Sequence, residues 1–201
     1  MSWDFDNNNG TKAEFTKFPV GITRIRIVDD EPYVRWTHWL PKFSRSINCP
    51  GKDCPICEIR KHQKANKEPY TYGVSRRIAI NIINRETGKL EIMEQGINFF
   101  NDVRDLRHDL IEKGLSLIDA DIKVRRRGTG KDDTSYRLDI DVQSPLSDED
   151  KELIANKIDL QDYFKPHTFE QITRIVNGES WDDVMKSNDN NDDMEEDIVV
   201  K

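Results

Sequence analysis

The sequence predicts a mainly β protein of the α+β class, built as a small five-stranded barrel with a metal-binding insertion. Three observations lead there. Polar and apolar residues alternate with period two along several stretches between Phe18 and Gln143, the pattern of half-buried strands. One stretch between them changes to a spacing of three and four, the pattern of a single helix. All three cysteines and a histidine fall between His38 and Cys57.

Residues 1–17 are polar and carry Asn7-Asn8-Asn9-Gly10, so a flexible arm is expected, with Trp3 and Phe5 as its aromatics. The first strand follows: Thr23, Ile25 and Ile27 alternate with Ile22, Arg24, Arg26 and Val28. Asp29-Asp30-Glu31-Pro32 turns the chain. Tyr33–Leu40 reads as a second strand, with Tyr33, Arg35, Thr37 and Trp39 on one face and Val34, Trp36, His38 and Leu40 on the other. After the insertion, at about 41–68, comes the longest strand candidate, Tyr70–Asn84. A Thr-Gly turn leads to a short return strand over Leu90–Met93.

Gly96 introduces a helix over 97–113 whose Phe99, Val103, Leu106 and Leu110 form one stripe, and Gly114 suits its left-handed cap. Ala120–Arg127 and Ser135–Gln143 complete the strands. A five-strand barrel with its helix between the third and fourth strands is the oligonucleotide-binding (OB) fold, assigned here to residues 18–145. Short helices are expected over 146–185, capped by Ser147 and by Thr168 with Gln171 three residues on. Residues 182–201 hold 8 acids and 2 lysines, so 186–201 reads as an acidic disordered tail.

In the insertion, ten residues separate His38 from Cys49, four separate Cys49 from Cys54, and two separate Cys54 from Cys57. One imidazole and three thiolates at such spacing suit a structural zinc ion, because two cysteines two residues apart reach one tetrahedral ion from a single turn. Cys-Pro-Gly and Cys-Pro-Ile-Cys provide the turns. Buried apolar cysteines or a disulfide are the alternatives, and three cysteines within nine positions suit neither. His62 and Asp53 compete for the fourth position. His38 is preferred because it enters from a strand and lets the metal hold the loop at both ends. A helix over 55–66 follows, starting on Pro55.

The net charge of −7 conceals an asymmetry: residues 1–143 carry 25 Lys and Arg against 22 Asp and Glu, whereas 144–201 carry 6 against 16. A locally basic body points to an anionic partner. Basic and aromatic residues interleave near the insertion, and unpaired nucleic acid needs both cations for phosphates and flat rings for bases. The candidates are Arg35, Lys42, Arg45, Arg76, Arg77 and Arg125 for the backbone, and Tyr33, Trp39, Phe43, Tyr70 and Tyr72 for stacking. Arg125–Lys131 reads as a basic hairpin touching phosphates; it lacks the Gly-Lys-Ser/Thr ending of a nucleotide loop. No nucleophile, base or carboxylate pair has catalytic spacing, so a non-enzymatic protein is expected. No apolar run is long enough to span a membrane, and no signal peptide is evident, so a cytoplasmic protein is expected.

The chain resembles the zinc-containing single-stranded DNA-binding (helix-destabilising) proteins of bacteriophages, the T-even type and its relatives. The resemblance rests on FPVGITRIRIV at 18–28, WTHWLP at 36–41, Cys49, Cys54-Pro55-Ile56-Cys57, the Tyr70/Tyr72 pair with Arg76-Arg77, and the DDMEED end. It implies a zinc subdomain interrupting an OB fold, a cleft of aromatic and basic residues, and sequence-independent binding of single-stranded DNA in phage replication, recombination or repair. The charge split makes the acidic tail an expected competitor for the cationic cleft and an expected site for replication or recombination proteins, and a phage-encoded protein is expected in the host cytoplasm. Two other readings fit the same residues: a zinc-stabilised protein-interaction adaptor, and a transcription regulator that binds RNA or duplex DNA.

Overall fold

In the computed structural model, residues 13–130 and 132–186 are described. Of the acidic tail expected over 186–201, residues 187–201 lie outside the described residues, as does most of the expected N-terminal arm. The elements run β1 (Gly21–Ile27), β2 (Tyr33–Leu40), β3 (Arg45–Asn48), α1 (Pro55–Asn66), β4 (Gly73–Asn84), β5 (Lys89–Gln95), α2 (Ile97–Ile111), β6 (Ala120–Arg127), β7 (Ser135–Gln143), α3 (Asp148–Ala155), α4 (Leu160–Tyr163), α5 (Phe169–Val176) and α6 (Trp181–Lys186). No helix among the described residues is long and apolar enough to cross a membrane.

The sheet has seven strands where the sequence predicts five, and its path is open: β3-β2-β4-β1-β6-β7, with β5 on β4. Two strands account for the difference. The return strand after β4 is a full member, and β3 is a four-residue strand inside the insertion. Arg-Ser-Ile-Asn is too short to display a period, and it becomes a strand by pairing Ile47 with His38 and Ser46 with Trp39. Barrel closure is a contact between strands remote in sequence, which alternation along one strand cannot encode.

The chain forms two compact units. The first, within 13–34 and 77–163, contains β1, most of β4, β5, α2, β6, β7, α3 and α4. β1 lies between β4 and β6, both antiparallel, with Ile25 opposite Asn84 on one side and Ile122 on the other. The core joins Ile25, Ile27, Ile80, Ile82, Met93 and Ile122 to Phe99, Val103 and Leu110 of α2. The helix is therefore amphipathic because it roofs this sheet. At the end of the expected arm, Thr16 N donates to the Ile92 carbonyl (2.9 Å) and Ile92 N to that of Glu14 (2.8 Å).

One polar chain runs through this unit. Arg26 is 0% exposed and its Nε donates to Asp121 Oδ1 at 2.6 Å. Arg85 donates to the same carboxylate at 2.9 Å and, bidentately, to Asp150 of α3 at 2.5 and 3.0 Å. A buried guanidinium is tolerated when its donors are used. Arg26 uses the remainder on Ile118 O and on Ser144 O and Oγ.

The second unit, within 35–76 and 164–186, contains most of β2, β3, α1, the start of β4, α5 and α6. Its own core is Leu40, Ile47, Cys54, Ile56, Ile172, Ile175 and Val184. Both predicted capping boxes form: the Thr168 hydroxyl accepts from Gln171 N (3.1 Å) in this unit, and Ser147 from Asp150 N (3.1 Å) in the first.

Candidate metal centre and nucleic-acid interface

β2 delivers His38, the turn after β3 delivers Cys49, and the start of α1 delivers Cys54 and Cys57. Their ligand atoms all lie within 4.8 Å of one another. His38 Nε2 is 3.5 Å from Cys54 Sγ and 3.4 Å from Cys57 Sγ, and Cys49 Sγ is 3.7 Å from Cys57 Sγ. All three cysteines are free, so none is in a disulfide. His62 and Asp53, the competing fourth ligands, stay exposed outside the cluster.

Local structure explains the convergence. Gly51 adopts φ +87°, and its amide approaches Cys49 Sγ at 3.4 Å. Cys54 is the extended N-cap of α1 and Pro55 its first residue, so Cys57 lies in the first helical turn. The positive end of a helix favours thiolate there. Cys49 N donates to the Trp36 carbonyl at 2.8 Å, tying the turn back to β2.

Burial pushes the Cys57 thiol up to about 12, with the neighbouring sulfurs adding to it. Cys49 is raised by burial as well. Burial also holds His38 below its ordinary value, which keeps the imidazole neutral. The Gly73 backbone lies beside that ring, yet Nδ1 closes no hydrogen bond. A crowded set of thiols resists ionisation by itself. A divalent cation among them reverses that preference, so the donors are matched to a thiophilic metal.

The predicted nucleic-acid residues divide between the units. Three of the basic ones in the second unit are engaged internally. Arg35 lies 3.5 Å over the Phe164 ring and donates to Asn48 Oδ1 at 2.9 Å. Lys42 donates to the Gly178 carbonyl at 2.7 Å, just past the end of α5. Arg45 lies 4.8 Å over the Trp181 ring, against which Phe43 also packs. Tyr72 is half-buried against the second core.

Trp39 and Tyr70 face outward, 45% and 52% exposed, and Arg76 is exposed beyond them in the chain. Trp39 lies across from Gly73, where an added Cβ would come within 3.0 Å of the Trp39 Cβ. Glycine at 73 thus lets the indole cover the strand backbone. In the first unit, Tyr33 is half-buried, Arg77 is 3.8 Å from Glu94, and Arg125 stands on β6.

Two residues outside the predicted set join it. Trp36 shares a face with the buried His38 and Leu40, yet it is 53% exposed. Alternation reports the side of a strand, not where its cover ends. Arg60 of α1 lies 4.0 Å over the Tyr70 ring and donates to the Tyr72 carbonyl. Its position five residues into α1 gives no sequence signal for that role.

No family model matches the chain. Over 186 residues it is 28% identical to a protein of Escherichia phage T5 named as a probable ssDNA-binding protein; the match covers 77% of this chain and 69% of that one.

Proposed function

We propose that this is a non-enzymatic phage protein that binds single-stranded DNA without reading its sequence and protects it during replication, recombination or repair. One observation carries the reading: the second unit holds large aromatic rings outward on a scaffold pinned by a metal site. Trp36, Trp39 and Tyr70 are each about half exposed, with Arg60 and Arg76 as the nearby cations in the chain. Buried aromatics support a core, whereas rigid exposed ones stack on unpaired bases at about 1–3 kcal/mol each. The similarity to the phage T5 protein supports the same direction.

The resident cation in this reading is structural zinc. Zinc–sulfur bonds of about 2.3 Å and zinc–nitrogen bonds of about 2.0–2.1 Å imply tetrahedral edges of about 3.8 Å and about 3.6 Å. Three of the six donor pairs match them, Cys49–Cys57 at 3.7 Å and His38 Nε2 to Cys54 and Cys57 at 3.5 and 3.4 Å, and all four atoms lie within 4.8 Å of one another. With four protein donors no coordination position is left for substrate, which makes the metal a clamp. His38, Cys49, Cys54 and Cys57 hold it. It fixes β2 and β3 against α1, so the rings on that frame keep their orientation.

The first unit supports an OB fold. Its strands run β5-β4-β1-β6-β7, with α2 between β5 and β6. Counted along the unit, that order is 3-2-1-4-5, the order of an OB barrel before its end strands meet. The metal-bearing segment then enters between the first and second barrel strands. Arg77, Arg125 and Tyr33 extend the proposed contacts to this unit. Arg35, Lys42, Phe43, Arg45 and Tyr72 contribute by positioning the second unit's surface.

Titrating the protein with oligo(dT) while following tryptophan fluorescence tests the reading. Saturable quenching that weakens as salt rises is expected, because cations released from the DNA drive binding. Trp39→Ala should weaken binding by about 1–3 kcal/mol with zinc content unchanged. Absence of quenching, with an intact zinc site, would leave a protein-interaction adaptor as the better account.

A further inference from the structure

A cationic row lies on the outer face of the first unit, and only Arg137 of it has an acid partner among the described residues. In β1, β6 and β7, the residues Ile25, Ile122, Val124 and Leu138 point into the core. The alternate positions point out. The register sets Ile22 opposite Arg125 and Arg125 opposite Arg137. Like charges directly opposite each other in a sheet are unfavourable. The nearby carboxylates serve cations other than Arg125 and Arg127: Asp141 pairs with Arg24 and Lys123, both at 2.7 Å, and Asp139 with Arg137 of the row itself at 3.2 Å. Among the described residues, no acid pairs with Arg125 or Arg127.

Among its described residues, the hairpin beyond β6 adds no further anion site. Asp133 takes the amides of Gly130 (2.7 Å) and Thr129 (3.4 Å). A Cβ at Gly128 would collide with the Asp133 backbone. Among the described residues, therefore, the cations that face outward here are those of the strands.

We infer that Arg125, Arg137 and Arg127, with the exposed Ile22, form a second strip for the phosphodiester backbone of single-stranded nucleic acid. The inference rests on the single-strand reading above and adds Arg127, Arg137 and Ile22 to the Arg125 contact already proposed. Guanidinium groups take phosphate oxygens through paired donors. Arg125 and Arg127 are two residues apart on one strand face, about 7 Å along it, which suits successive anions better than one small anion. A repeating anion relieves the part of the Arg125–Arg137 repulsion that the Asp139 pair does not offset. Ile22 offers an apolar contact beside it.

The test compares the full-length protein with R125Q/R137Q by anisotropy of labelled oligo(dT) from about 50 to about 200 mM salt. Each phosphate contact on a single strand contributes about 0.7 to the slope of log affinity against log salt, so the double variant should lose about 1.4. Its low-salt affinity should fall several-fold, while quenching at saturation stays at the wild-type level. R127Q, at the exposed end of β6, should lose about 0.7 and serves if the double variant melts early. Wild-type binding with unchanged slopes in both variants overturns the strip alone. A wild-type protein with no affinity for the oligonucleotide overturns the strip and the single-strand reading together.

Discussion

Asp150 shows how one side chain ties acid–base chemistry to docking. Arg85 reaches it with two hydrogen bonds, and that contact, ahead of the Ser147 amide, holds its carboxyl below the usual carboxylate range. A carboxyl with a depressed folded value stabilises the fold above its unfolded value of about 3.9, and the contribution is lost as pH falls below it. Acid titration followed by circular dichroism should therefore show stability dropping below about pH 4. Asp150→Asn should flatten that limb and cost about 1.5–3 kcal/mol at neutral pH, as expected for hydrogen bonds to a charged group. A variant with the wild-type acid limb would show that the pair does not hold α3.

At the scale of elements, α5 is the clearest case of a helix specified locally and used globally. Thr168 and Gln171 close a capping box, and Ile172 and Ile175 enter the second core. Lys42 donates to the Gly178 carbonyl beyond the helix end, a favourable place for a cation. Thr168→Ala should cost about 1 kcal/mol, the usual value of an N-cap, measured by urea unfolding. Most elements are visible in the sequence because period and caps are local properties. β2, β6 and β7 begin and end where alternation predicts, and α2 stops two residues early. β3 escapes because four residues carry no period.

For the whole molecule, two cores imply two responses to metal removal. Cys54 belongs to the second core, and the ligands gather β2, the turn after β3 and α1, so metal affinity is folding energy for that unit. Chelation should speed amide exchange in 35–76 by orders of magnitude while the strands of the first unit stay protected. Equal acceleration in both units would contradict this. The sequence by itself marked the candidate metal donors and preferred His38 to His62 and Asp53 as the fourth, since their spacing is short-range and only a few residue types bind a soft cation. It could not say which aromatics face outward. Tertiary structure gathers the four donor atoms, by pairing β2 with β3 to bring His38 to the cysteines, and decides exposure, by ending the cover over β2 before Trp36. Ligand chemistry is written residue by residue, whereas exposure depends on what the rest of the chain lays over a strand.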